Sequence, residues 1–179
     1  MKTEQISDSY YEYLAVPKVR QEVFLNAYLP SWANLNLLPG DVNLYLENSY
    51  VGKTRLDPAN ASDTLSLSFG VDKSMSVHRE QVKSYTKRQF LGNNVTENRT
   101  YRIVLRNTKK APARIVVKDQ YPLARSKDIE VFDKSAPDAK LDDYTGELTW
   151  TLSLPAGESK ELNLRYAVKY PQSGYVAGE

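Results

Sequence analysis

The sequence predicts an all-β protein: an immunoglobulin-like antiparallel β-sandwich in the C-terminal half, with a smaller N-terminal β unit packed against it. Three observations predict this class. Apolar residues recur at every second position along much of the chain, the period of a half-buried strand. No stretch carries a convincing amphipathic helical repeat. Thirteen Tyr stand against four Phe, and Tyr suits strand positions where the ring packs and the hydroxyl stays wet.

The elements follow in order. In "EVFLNAYL" (Glu22 to Leu29), Val23, Leu25 and Ala27 alternate, which favours a strand over a helix. "WANLNLLPG" reads as a loop or one short helical turn, closed by Pro39-Gly40. "DVNLYLENSYVGKTRL" reads as a hairpin: Val42, Leu44 and Leu46 share a face, Glu47 to Ser49 turn, and Val51 to Leu56 return. "DTLSLSFG" gives a strand with Leu65, Leu67 and Phe69 inward. "MSVHREQVKSYTKRQF" is basic and weakly alternating, as in one extended strand with a bulge.

"RTYRIVLRNT" and "PARIVVKDQY" come next, with Tyr101, Ile103 and Leu105 inward on the first and Ile115 and Val117 inward on the second. "NTKKAPA" between them reads as a hairpin loop. "DIEVFD" is a short strand, and "SAPDAKLDDYTGE" a surface loop. In "LTWTLSLPAGESKELNLRYAVKYP", Leu148, Trp150, Leu152 and Leu154 share one parity, as do Leu162, Leu164, Tyr166, Val168 and Tyr170. "PAGES" reads as a hairpin loop with Gly157 free to take φ > 0. Trp150 is the expected core anchor, while Asn163 and Arg165 face away from the core.

The texture changes at Gly70 to Asp72, which predicts a boundary between an N-terminal unit (1–70) and the sandwich (71–179). About seven short strands with regularly spaced turn signals in the second part match an immunoglobulin-like pattern. The chain of 179 residues is long enough for one sandwich plus an appendage. It contains no Cys, which excludes disulfides, thiolate metal sites and Cys nucleophiles. No apolar run approaches the length of a membrane span. The first residues lack an apolar h-region and do not read as a signal peptide.

Net charge is only +2, yet it is unevenly spread. Residues 71–118 hold twelve Lys and Arg against three Asp and Glu. Period-2 geometry turns Arg102 and Arg106 outward from one strand and Arg114 and Lys118 outward from the next. If these strands are hairpin neighbours, the four cations share one sheet face, and Arg79 and Lys83 extend it. Such a face could be solvated, matched by the acidic N-terminal unit, or offered to a polyanion such as an acidic polysaccharide or lipid headgroup. No nucleic-acid-binding motif is present, so nucleic acid is not an expected partner.

The residues nominate no catalytic apparatus, and the expected protein is not an enzyme. His78 is the only histidine and lies in a charged strand, with no G-x-S-x-G elbow anywhere. One His without Cys cannot make a usual zinc set. Asp138, Asp142 and Asp143 cluster without EF-hand spacing, which favours a solvated loop. Glu80, Glu97 and Asp119 are isolated acids in the basic region, where counter-charge is the expected role. A glycosidase would need two acids about 5–10 Å apart in a cleft, and nothing nominates a pair. Phosphate-binding glycine loops are absent, and no cofactor is expected. The N-x-S/T triplets at Asn60, Asn94 and Asn98 are of the kind chance supplies in such a sequence.

Three phrases in series carry a family resemblance: "FGVDKSMSVHREQVKSYTKRQFLG", "NRTYRIVLRNTKKAPARIVVKDQYPLARSKDIEV" and "GELTWTLSLPAGESKELNLRYAVKYP". Upstream, "YLAVPK", "NLNLLPGDVNLYLENSYVGKTRL" and "DTLSLSFGVD" extend it over nearly the whole chain. Together they resemble the C-terminal domain of mucoidy inhibitor-like proteins, a domain of unknown function numbered 4139. The resemblance implies a longer parent with a second β domain and a helical coiled-coil segment ahead of this one. It also implies a bacterial, periplasmic or envelope-associated setting. It brings no catalytic residue. The expected function is therefore a non-enzymatic module for protein–protein interaction or assembly, the partner being another protein or other domains of the parent. The alternative is binding of an anionic glycan or lipid headgroup through the basic face.

Overall fold

The computed structural model describes residues 8–172, apart from 31, 36, 47, 58, 60–62 and 84–86. Within them the chain is an all-β sandwich. Its strands are β1 (Tyr10–Val16), β2 (Arg20–Leu29), β3 (Gly40–Leu46), β4 (Ser49–Leu56), β5 (Leu65–Val71), β6 (Met75–Gln81) and β7 (Lys87–Leu91). They continue as β8 (Asn94–Asn107), β9 (Ala113–Gln120), β10 (Glu130–Ser135), β11 (Lys140–Leu141), β12 (Glu147–Leu154) and β13 (Ser159–Pro171). A 3-10 turn covers Trp32–Leu35. The basic stretch expected as one bulged strand is divided into β6 and β7, which both pair with β8. Ser84 to Thr86, Glu47 of the expected turn and the Asn60 triplet lie outside the described residues.

One sheet has the order β11-β12-β9-β1-β2-β5, and the facing sheet the order β10-β13-β8-β6 with β7 also on β8. The β3-β4 hairpin forms a third, two-stranded sheet. The change of texture at Gly70 to Asp72 does not coincide with a break between sheets. β1 lies between β2 and β9, antiparallel to the first and parallel to the second. Tyr13, Ala15, Val23 and Leu25 then join Ile103, Leu105, Ile115, Trp150 and Leu164 in one core. Strand β1 is the connection that the alternation pattern did not single out. A smaller cluster of Ala27, Leu29, Leu56 and Leu65 lies under the hairpin.

Two connections depart from the hairpins expected. β8 and β9 belong to opposite sheets, and so do β12 and β13. Both linking loops, after Asn107 and after Leu154, therefore arch over the same end of the core. Asn107 joins them. It is fully buried, and its Nδ2 lies 3.0 Å from the carbonyl oxygens of Ala111, Leu154 and Pro155. Its backbone N–H donates to Glu158 O at 2.9 Å. Gly157 takes φ 73°, as the turn requires. Trp150 is fully buried, with Nε1 donating to Pro137 O at 2.7 Å, so the large anchor side chain is also hydrogen-bonded.

Candidate functional site

The arch between β8 and β9 dismantles the predicted basic face. Arg102 and Arg106 project from the outer face of one sheet, and Arg114 and Lys118 from the outer face of the other, on opposite sides of the sandwich. Arg102 Nε donates to Glu80 Oε1 at 2.9 Å, and its Nη1 lies 3.9 Å from Glu161 Oε2. Arg114 pairs with Glu12 at 3.0 Å and Lys118 with Glu147 at 2.9 Å. Arg106 and Lys83 are exposed. Glu80 is held below the usual carboxylate range by the Arg102 guanidinium.

Arg79 does not extend an outer patch. It shares the inward parity of Met75 and Val77 and enters the sandwich. Its Nε lies 2.8 Å from Asp119 Oδ2 on the facing sheet, and its guanidinium sits 3.8 Å from the centroid of the Tyr101 ring. Arg99 is likewise buried, 3.2 Å from Glu97 Oε1. Burial opposes the charge on Arg99, but the Glu97 carboxylate outweighs it and raises its pKa. Glu80, Glu97 and Asp119 thus each answer an arginine, as the sequence led one to expect. His78 is exposed, 3.8 Å from Glu80. Asp142 accepts from the backbone N–H of Tyr144 and Thr145, which lower its pKa. Among the described residues, no group of three or more His, Asp or Glu is placed to hold a metal ion.

The site that sequence reasoning missed lies where β10 meets β13. Phe132 is opposite Ala167 and Ser135 opposite Arg165, so Asp133 and Lys134 together face Tyr166. This is a β-bulge, and Asp133 adopts φ 49°, a left-handed conformation uncommon for a non-glycine residue. Beside the bulge is a cleft of about 730 Å³, lined by Arg99, Lys134, Arg165, Asn98, Asn163 and Tyr166 among others. Lys134 Nζ lies 5.6 Å from the centroid of the Tyr121 ring. Tyr121 meets Tyr166 edge-on, and Tyr101 stacks on Tyr166. Burial raises the Tyr121 pKa. The outward parity of Asn163 and Arg165 was legible in the sequence, but no residue pattern announced the bulge that hollows the surface beside them.

Fold and site together define a class: a sandwich with two arches at one end, buried arginine–carboxylate pairs and a polar cleft at a bulged edge strand. The chain belongs to the family described as a domain of unknown function (DUF4139), whose model matches residues 4–172. It is similar to Protein F37C4.5 of Caenorhabditis elegans, with 21% identity over 182 residues, covering 93% of this chain and 32% of that protein. The chain therefore spans about a third of the length of that relative. No solved structure matches it significantly. No helix among the described residues is long and apolar enough to cross a membrane.

Proposed function

We propose that this domain is a non-enzymatic β-sandwich module that docks onto other parts of a longer parent protein through the outer face of its six-stranded sheet. The observation that carries the reading is an apolar row in cross-strand register. Val71 on β5 is opposite Phe24 on β2, Phe24 opposite Leu14 on β1, and Leu14 opposite Val116 on β9. Ladder partners present their side chains on one side of a sheet. Since Tyr13, Ala15, Val23, Ile115 and Val117 face the core, this row lies on the opposite side. Val71 is 40% exposed, and Tyr10, 44% exposed, stacks on Tyr28 further along the face.

The Arg114–Glu12 and Lys118–Glu147 pairs flank the row and give it the polar rim of a protein interface. The occupant is chain from the same parent, because the similar nematode protein is about three times as long as the domain. Pairing of Glu80, Glu97 and Asp119 with arginines supports a non-catalytic role. The mucoidy inhibitor-like label, the bacterial origin and the envelope setting belong to this proposal and rest on the sequence resemblance. The alternative, a basic face for an anionic glycan or lipid headgroup, loses support because its cations lie on opposite sides of the molecule.

Hydroxyl-radical footprinting of the domain alone and within its parent tests the docking. Tyr10, Phe24 and Tyr28 should label in the isolated domain and be protected several-fold in the parent. Equal labelling in both would overturn the proposal.

A further inference from the structure

The geometry points to a second binding site, unrelated to the docking face: the cleft beside the β10 bulge binds a sugar that carries an oxyanion, either a carboxylate or a phosphate. Its volume, about 730 Å³, is in the range of small-ligand sites. Its cations are unequally committed. Arg99 is answered by Glu97 at 3.2 Å. Lys134 and Arg165 have no acid within ion-pair distance among the described residues, and Asp133 is the one carboxylate in the lining. The excess positive charge suits a single oxyanion.

Apart from Pro137, the rest of the lining is uncharged and capable of hydrogen bonding. The amides of Asn98 and Asn163 both donate and accept, as do the hydroxyls of Thr100 and Ser135. Groups of this kind match the vicinal hydroxyls of a sugar ring better than they match a bare inorganic ion, which needs donors alone. The site is built on paired strands and not on a free loop: Arg165 is opposite both Thr100 on β8 and Ser135 on β10. The bulge is what departs from regular pairing. Bulges recur beside binding sites, where the extra residue re-aims a side chain, and here Lys134, one of the two residues in the bulge, lines the cleft.

Titration of the full chain followed by amide chemical shifts tests this, with glucuronate, glucose 6-phosphate, glucose and inorganic phosphate as probes. Glucuronate or glucose 6-phosphate should shift residues of β8, β10 and β13 saturably, and the tighter of the two identifies the oxyanion. Arg165→Gln and Lys134→Gln should each weaken that binding at least tenfold. Arg106→Gln, on the same sheet outside the cleft and opposite Ser159, should leave it unchanged. Inorganic phosphate or glucose bound as tightly as the anionic sugars would overturn the inference. So would the absence of saturable shifts with either anionic sugar, or full binding retained in folded Arg165→Gln.

Discussion

Arg79 on β6 and Asp119 on β9 meet across the two sheets, with Nε 2.8 Å from Oδ2, while the Arg79 guanidinium sits over the Tyr101 ring. The Asp119 side chain is fully buried and that of Arg79 is 10% exposed. Asp119 Oδ1 also accepts the Gln120 backbone N–H at 2.8 Å. Removing one partner of a buried pair strands the other, so Asp119→Ala should cost about 3–5 kcal/mol. The double variant Arg79→Met/Asp119→Leu should lose less than Asp119→Ala alone, because no charge remains buried. Urea midpoints of the three proteins check this; a double variant less stable than the single one would contradict it.

Trp150 is a packing anchor with one polar obligation. Trp150→Ala should cost about 3–5 kcal/mol through the cavity it leaves. Trp150→Phe should cost less, about 1–3 kcal/mol, since Pro137 O then loses its donor at 2.7 Å. Chemical denaturation distinguishes the two. A loss under about 1 kcal/mol for Trp150→Ala would be incompatible with a side chain at 0% exposure.

Alternation made the strands and their inward faces legible: Tyr101, Ile103, Leu105, Ile115, Val117, Leu148, Trp150 and Leu164 are all buried as their parity requires. The sheet to which each strand belongs was not legible. A hairpin and an arch both join two strands that are apolar on one side, and neither "NTKKAPA" nor "PAGES" is a tight two-residue turn that would dictate a hairpin. With β8 and β9 assigned to one sheet, Arg102, Arg106, Arg114 and Lys118 fell on one face. The inward position of Arg79 had a signal, because it continues the parity of Met75 and Val77. Strand β1 had less: "YYEYLAV" has half-polar alternation, and its parallel partner β9 lies about a hundred residues away.

Asn107 is the polar staple of the arched end. Asn107→Leu should remove the bonds to both arches and leave the carbonyls of Leu154 and Pro155 short of a donor, costing about 2–4 kcal/mol. Amide hydrogen exchange locates the effect. Protection should fall first at Lys109, whose N–H donates to Asn107 Oδ1 at 2.9 Å, and at the Asn107 N–H bound to Glu158 O. Uniform loss of protection across the sandwich would assign Asn107 a global role.

Asp72 supplies an acid-sensitive contribution to stability. Its Oδ2 accepts from the Tyr13 hydroxyl and from Lys109 Nζ, each at 2.9 Å, and its Oδ1 from the Ser74 N–H at 2.8 Å. Burial favours the neutral acid, but the donors led by Lys109 outweigh it and lower the pKa from 3.8 to about 2. A carboxylate with a depressed folded-state pKa stabilises fully above its unfolded pKa, and the gain is lost as pH falls through the folded value. The Asp72 contribution, at most about 2 kcal/mol given its partial exposure, should therefore be present at pH 6 and disappear between about pH 4 and 2. Asp72→Asn should lower the urea midpoint at pH 6 and narrow its difference from the parent protein as pH approaches 2. A difference that stays constant from pH 6 to 2 would show that Asp72 acts through hydrogen bonding and not through its charge.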